Sequence, residues 1–222
     1  MRRKSPIAIP AFLVLMFAAA ATAQMPGMMG PPSVRGVWAP VVGSGSVYQL
    51  ETKKDGKREM EFAIVGAETV NGKPGHWMEI AFQDRSGPMV MKNLIILDGK
   101  DTRVARMIVQ PPGQEAMEFP MEMMQMMNRG ASREVQKADI REGATKIGTE
   151  TITVPAGTYT CEHYRTSDGA DVWVSEKASP YGLVKMTSAD ANMTLMKALT
   201  NATTKIRGVP RKMDMSGMGQ RP

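Results

Sequence analysis

ETITVPAGTYTCEHYRTSDGADVWVSEKASPYGLVKMTS, residues 150–188, carries the strongest β signal in the chain. Breaks fall at Pro155-Ala156-Gly157, Asp168-Gly169 and Ser179-Pro180-Tyr181-Gly182, and the runs between them are rich in Val, Thr, Tyr or Trp and too short for helices. The spacing predicts four short strands in an antiparallel meander. In the strand after Gly157, Tyr159, Cys161 and His163 share one face while Thr160, Glu162 and Tyr164 share the other, because side chains alternate along a strand.

Working outward, the same pattern fills the first half of the chain. Val47–Thr52 alternates, with Tyr48 and Leu50 on one face. After a turn at Lys53–Lys57, Met60, Phe62 and Ile64 alternate with Glu59, Glu61 and Ala63, the clearest half-buried strand of the chain. Glu68–Val70, an Asn71-Gly72 hairpin signal and a strand from His76 to Gln83 follow, with Met78, Ile80 and Phe82 facing one way. Pro88–Leu97 is apolar on both faces apart from Lys92 and Asn93, which predicts a central strand or one covered on its second face. Thr102–Gln110 reads as a strand with Val104 and Ile108 opposite Ala105, Met107 and Val109. Phe119–Gly130 breaks the pattern and predicts one short helix, with Pro120 suited to its first turn and Gly130 to its end. Ala131–Ala144 reads as a loop, and Ala191–Leu199 and Ala202–Ile206 as closing strands, a helix being the alternative for the former. A Trp strand followed by an apolar-Lys-apolar step occurs twice, Trp77 before Met91-Lys92-Asn93-Leu94 and Trp173 before Val184-Lys185-Met186, a weak echo of one sheet in the other.

The run VPAGTYTC, then DVWVS, then SPYGLVKM resembles the C-terminal signature of exported bacterial proteins, and more distantly that of periplasmic lipoprotein carriers of the LolA and LolB type. What the resemblance implies is a mainly β fold: a curled antiparallel sheet, a LolA-like half-barrel, with a short helical lid over an apolar cavity. It also implies a non-enzymatic carrier of lipid or lipoprotein acyl chains. The matching positions are strand and turn residues, so no functional residue carries over.

Residues 1–23 read as a secretory signal peptide, with Arg2, Arg3 and Lys4 before an apolar run and Ala21-Thr22-Ala23 as the cleavage pattern near Ala23. The expected organisation continues with a disordered arm at 24–35, a single β-rich domain at 36–207 and a disordered tail at 208–222. No later run approaches the roughly 20 apolar residues of a membrane span, so a periplasmic or secreted monomer is expected. Removing the three signal charges takes the formal net charge from +6 to +3. Lys53, Lys54, Lys57 and Arg58 cluster only around a turn, which predicts a solvated hairpin tip and no nucleic-acid partner. Cys161 is the one cysteine, a small buried hydrophobe by position, and same-face His163 sits too far along the pleat to activate it. With neither a catalytic motif nor ligand spacing around His76 or His163, no enzyme activity and no cofactor are expected.

Two binding readings remain. For an apolar ligand, the cavity candidates are Tyr48, Leu50, Phe62, Ile64, Ile80 and Phe82 on the sheet, with Met124 and Met127 on the helix. On a helical wheel, Met121, Met123, Met124, Met126 and Met127 cover an arc of about 220°. That arc suits ordinary core packing, or an adaptable lid made of flexible thioethers. For Cu(I) or Ag(I), the same five methionines are the candidate ligands, since thioether sulfur is soft and the chain holds 22 Met. A structural envelope-interaction protein is the third reading.

Overall fold

The computed structural model describes residues 36–84, 86–120, 136–137 and 139–213, all within the unit Ser33–Pro222. Thirteen strands form one curled, unclosed sheet, the half-barrel expected. They are β1 (Gly45–Thr52), β2 (Gly56–Val70), β3 (Lys73–Asp84), β4 (Gly87–Asp98), β5 (Asp101–Gln110), β6 (Met117–Phe119), β7 (Gln136–Lys137), β8 (Ala144–Val154), β9 (Gly157–Thr166), β10 (Asp171–Val174), β11 (Leu183–Thr187), β12 (Ala191–Leu199) and β13 (Arg211–Lys212). Across the sheet the order is β13, β6, β5, β4, β3, β2, β1, β12, β11, β10, β9, β8, with β7 beside β5. The molecule is therefore two meanders, β1 to β6 and β8 to β12, welded where β12 pairs with β1.

Turn chemistry sets the registers. Asn71 and Gly72 both take positive φ, 51° and 77°, the two-residue turn whose twist matches the flanking strands. Lys73-Pro74 therefore belong to β3, which starts three residues earlier than the expected His76. Met60–Ile64 and Glu68–Val70 are one continuous strand: Ile64 opposes Met78, Gly66 opposes Trp77, and Val65 bulges out between them. A second bulge, between Leu94 and Ile95, leaves Ala105 without an opposite residue and moves it to the side of Ile108, away from Met107 and Val109.

The concave face carries the main core, in which Tyr48, Leu50, Phe62, Ile64, Ile80, Val172, Met193 and Leu195 are buried together. The sheet curls far enough that Val154 and Cys161, from the opposite end of the strand order, join the same cluster. Along β9, β10 covers only Glu162–Arg165, so beyond it β8 and β9 continue as a two-stranded ribbon, free to twist strongly. Ile152, Ala156 and Tyr159 at its tip pack on the cluster. The N-terminal segment adds Trp38, whose ring lies 5.1 Å from that of Tyr181, while the Val37 N–H donates to the Tyr181 carbonyl at 2.6 Å. At Gly36 a side chain would start 2.1 Å from that carbonyl oxygen, so only glycine lets the segment lie down here.

On the convex face a smaller cluster of Trp77, Leu94, Ile96, Ala105, Ile108 and Ala116 explains why Pro88–Leu97 is apolar on both sides. Its cover is the segment after β12, with Ile206 packed against the cluster. Ala202–Ile206 is thus a strap, not the expected strand. Buried Glu79, 2% exposed, ties it down by accepting from Thr204 Oγ1 at 2.6 Å and the Lys205 N–H at 2.7 Å. Arg211–Lys212, which composition assigned to the tail, run parallel to β6. Within the expected loop 131–144, Gln136–Lys137 pair with β5 and Ile140–Glu142 form a single 3-10 turn. Ala191–Leu199 is a strand, so the helical alternative falls.

Phe119, the first residue of the expected helix, ends β6 instead, because it sits opposite Met107 and is buried. Residues 121–130 lie outside the described residues. The helix, and with it Met121, Met123, Met124, Met126 and Met127, therefore receives no structural account. Residues 1–35, where the signal peptide and the arm are expected, lie outside as well, as do 214–222 of the expected tail.

Candidate functional site

Of the sequence-chosen cavity residues, Tyr48, Leu50, Phe62, Ile64 and Ile80 come together, but as close-packed core at 0–4% exposure. Phe82 is half-buried at the rim of that cluster. Tyr48 and Phe62 meet edge to face at 5.6 Å, and the Tyr48 hydroxyl donates to the Leu183 carbonyl at 2.8 Å. Burial pushes the Tyr48 phenol well above its ordinary pKa. Such a group is a filled wall: it buries its area against protein and keeps its one polar atom satisfied.

The same face is different over β4, β5 and β6. Cross-strand partners share a face, and here Met91 opposes Val109, Asn93 opposes Met107, Val109 opposes Met117 and Met107 opposes Phe119. Met91 packs on the main core, which fixes this set as concave. Met91, Met107, Val109 and Met117 are only half-buried, in contrast to their neighbours on β1 to β3. Amid them Asn93 is 2% exposed, and its side-chain oxygen Oδ1 has no hydrogen-bond partner. An unpaired buried carbonyl costs about 1–3 kcal/mol of desolvation, so a folded chain that keeps one invites a reason.

Asn93 was legible only as an interruption of an apolar run. The signal that locates it is parity: Met91, Asn93 and Ile95 alternate on one face, and the polar residue is the middle one. Met78, Met91 and Met107 were visible as strand residues but not as a group, because strands that meet in space are far apart in sequence, and Met117 fell between the expected strand and the expected helix.

Two cavities lie elsewhere. One of about 380 Å³ sits where the ribbon leaves β10, with Val37, Cys161 and Val174 beneath a rim of Arg141, Glu162, Glu176 and Lys177. A larger one of about 990 Å³ runs between the strap and the ends of β2 to β5, lined by Glu59, Glu61, Phe82, Pro88, Gln110 and Lys205 among others. Lys205 Nζ is bound to Glu61 at 2.5 Å, and Gln110 accepts from the Arg207 N–H at 2.8 Å, so its polar walls are already engaged with the strap.

Cys161 is buried and its thiol is pushed up to about 11 by burial, with the Glu150 charge adding to the effect. His163 engages carboxylates instead of sulfur: Nδ1 meets Glu150 at 3.0 Å and Nε2 meets Asp171 at 2.9 Å, while its ring stacks on Trp173 at 4.3 Å. The hairpin tip is exposed from Lys53 to Lys57, with Lys53 3.4 Å from Asp190 and both side chains largely exposed, whereas Arg58 is half-buried and its Nε has no partner. Among the described residues no group of His, Cys, Asp or Glu is placed to hold a metal ion, and no helix is long and apolar enough to cross a membrane.

Fold and site together define a curled, unclosed β half-barrel whose concave face is filled at one end and half-open at the other. The chain belongs to the DUF4412 family, a domain of unknown function, whose model matches residues 45–220. It is similar to a protein from Bacteroides fragilis described as exported with a YmcC-like fold, at 14% identity over 74% of this chain and 99% of that one, with a TM-score of 0.35. A lipoprotein from Parabacteroides distasonis gives 12% identity over 74% of this chain and 99% of that one, also at 0.35. MucB, solved in complex with MucA(peri), gives 11% identity over 75% of this chain and 53% of that one, at 0.29. No curated protein matches the chain.

Proposed function

We propose that this is an exported, non-enzymatic binding protein for an apolar ligand, a lipid or a lipoprotein acyl chain, and that the ligand occupies the half-open end of the concave face. The observation that carries the reading is the contrast in burial: Met91, Met107, Val109 and Met117 are half-buried beside a core that is nearly sealed. Flexible thioethers suit acyl chains of variable shape. The LolA-like resemblance and the signal-peptide pattern at residues 1–23 point the same way, toward a carrier outside the cytoplasm. The test is binding of an apolar fluorophore to the mature protein, its displacement by fatty-acyl compounds, and lipid recovered by solvent extraction of protein purified from an envelope fraction. Val109→Asp places a charge on the open end and should abolish fluorophore binding while leaving the circular dichroism spectrum intact. If the native protein binds no fluorophore and yields no lipid, the proposal fails.

One observation favours a second reading. Met78, Met91, Met107 and Met117 come from four adjacent strands, β3 to β6, so soft sulfur ligands gather on one surface. Saturable Ag(I) binding that disappears in Met107→Leu, with fluorophore binding retained, would favour metal handling over lipid carriage.

A further inference from the structure

Resting on the apolar-ligand reading, we propose that Asn93 is the specificity residue of the open end and that the ligand it selects is an uncharged acyl compound bearing a hydrogen-bond donor next to its chain. Asn93 lies on β4 between Met78 of β3 and Met107 of β5, on the face that holds Met91 and Val109. It is 2% exposed and its Oδ1 is unpaired. That atom is an acceptor only. A ligand hydroxyl or amide N–H satisfies it. A plain hydrocarbon or an ester leaves it orphaned, and an ionised carboxylate adds a second acceptor and a charge to a face built of thioethers and Val109.

Discrimination of this kind rests on what the wrong ligand leaves unpaired, a cost of about 1–3 kcal/mol for one buried acceptor. The rest of the concave face supports the assignment by contrast. Tyr48 and Ser46, polar side chains of the filled end, already donate to the Leu183 and Ser179 carbonyls, and the other buried unpaired side-chain atom among the described residues, Arg58 Nε, is a donor and not an acceptor. Buried Glu79 and its partners Thr204 and Lys205 belong to the convex side. The donor has two natural sources, the hydroxyls of a glyceride and the N–H of an N-acyl group, and the chemistry at Oδ1 is the same for both.

The experiment uses the mature protein at pH 8 with an apolar fluorophore and four competitors of equal chain length: monolauroylglycerol, lauramide, methyl laurate and laurate. Monolauroylglycerol and lauramide should displace the fluorophore about tenfold better than the ester and the carboxylate, about 1.4 kcal/mol. Whichever of the two donors is stronger identifies its source. Asn93→Leu should erase the preference by improving methyl laurate and weakening the donors. Equal displacement by all four on the native chain overturns the role of Asn93 and leaves the apolar site standing, whereas displacement by none overturns both. Persistence of the preference in Asn93→Leu also overturns the assignment. Should that variant fail to fold, the four-ligand series on the native chain decides alone.

Discussion

The two ends of the concave face are built from the same kinds of residue and differ in what lies on them. At the filled end Phe62 is 0% exposed, enclosed by Tyr48 at 5.6 Å and Tyr181 at 6.5 Å, with the ribbon tip and Trp38 in the same cluster. At the open end Met107 keeps part of its surface. Curling a sheet brings its strands within reach of each other only on one side of the bend, so a half-barrel fills its own interior unevenly. Stability and binding are thereby assigned to different strands of one surface.

That division makes the largest prediction. Phe62→Ala should cost about 3–5 kcal/mol, the range for a buried aromatic truncated in a core that collapses poorly, and Met107→Ala about 1–2 kcal/mol, since only part of that side chain is withdrawn from water. Fluorophore affinity should respond in the opposite order. Urea unfolding and fluorophore titration of both variants check this, and comparable destabilisation by the two would erase the distinction between the ends.

The next effect is alkaline and belongs to the filled end. A thiol raised from 9.0 to about 11 keeps its proton in the folded chain where the unfolded chain has lost it. Its contribution is complete below the unfolded value and lost as pH rises toward the folded one. A shift of that size is worth at most about 2–3 kcal/mol. Cys161→Ala should therefore flatten part of the fall in stability between those values, measured by chemical denaturation at a series of pH points. An unchanged slope would show that the thiol is not sealed in.

Tyr48→Phe is smaller still. It deletes a hydroxyl whose partner, the Leu183 carbonyl, lies in the same core, and net losses for such bonds run about 1 kcal/mol. Thermal unfolding would register it, and ligand preference at the open end should not change, because the lost hydroxyl is not part of that site.

Strand alternation made the filled end legible before any coordinates: Tyr48, Leu50, Phe62, Ile64 and Ile80 all sit on one buried face. Their role did not follow, since an inward apolar side chain reads the same whether it packs on protein or on ligand. The strap was illegible because its anchor, Glu79, looks like any outward carboxylate until Thr204 and Lys205 arrive from a distant segment. Bulges such as those at Val65 and Ala105 were illegible too. A one-residue insertion flips every later side chain, and nothing in VGA or VARM announces one.

The Trp-Lys echo between the two meanders proved geometric. Lys92 lies 5.1 Å from the Trp77 ring centre and Lys185 lies 5.1 Å from that of Trp173. Each indole N–H also donates to a glutamate on an adjoining part of the sheet, Trp77 to Glu68 at 3.0 Å and Trp173 to Glu150 at 2.6 Å. The surroundings differ. Trp77 is 7% exposed and carries Arg106 at 5.0 Å as a second cation, held by Glu68 and Glu118, whereas half-buried Trp173 is stacked on His163. A cation over an aromatic ring contributes about 0.5–1 kcal/mol at exposed sites and more where water is excluded. Lys185→Ala should then cost its full share, about 0.5 kcal/mol, because among the described residues no second Lys or Arg is seen over Trp173. Lys92→Ala should cost less, since Arg106 stays over Trp77. A double comparison with Lys92→Ala/Arg106→Ala isolates the sharing: if the two single losses add without coupling, the cations act independently and the platforms are alike only in outline.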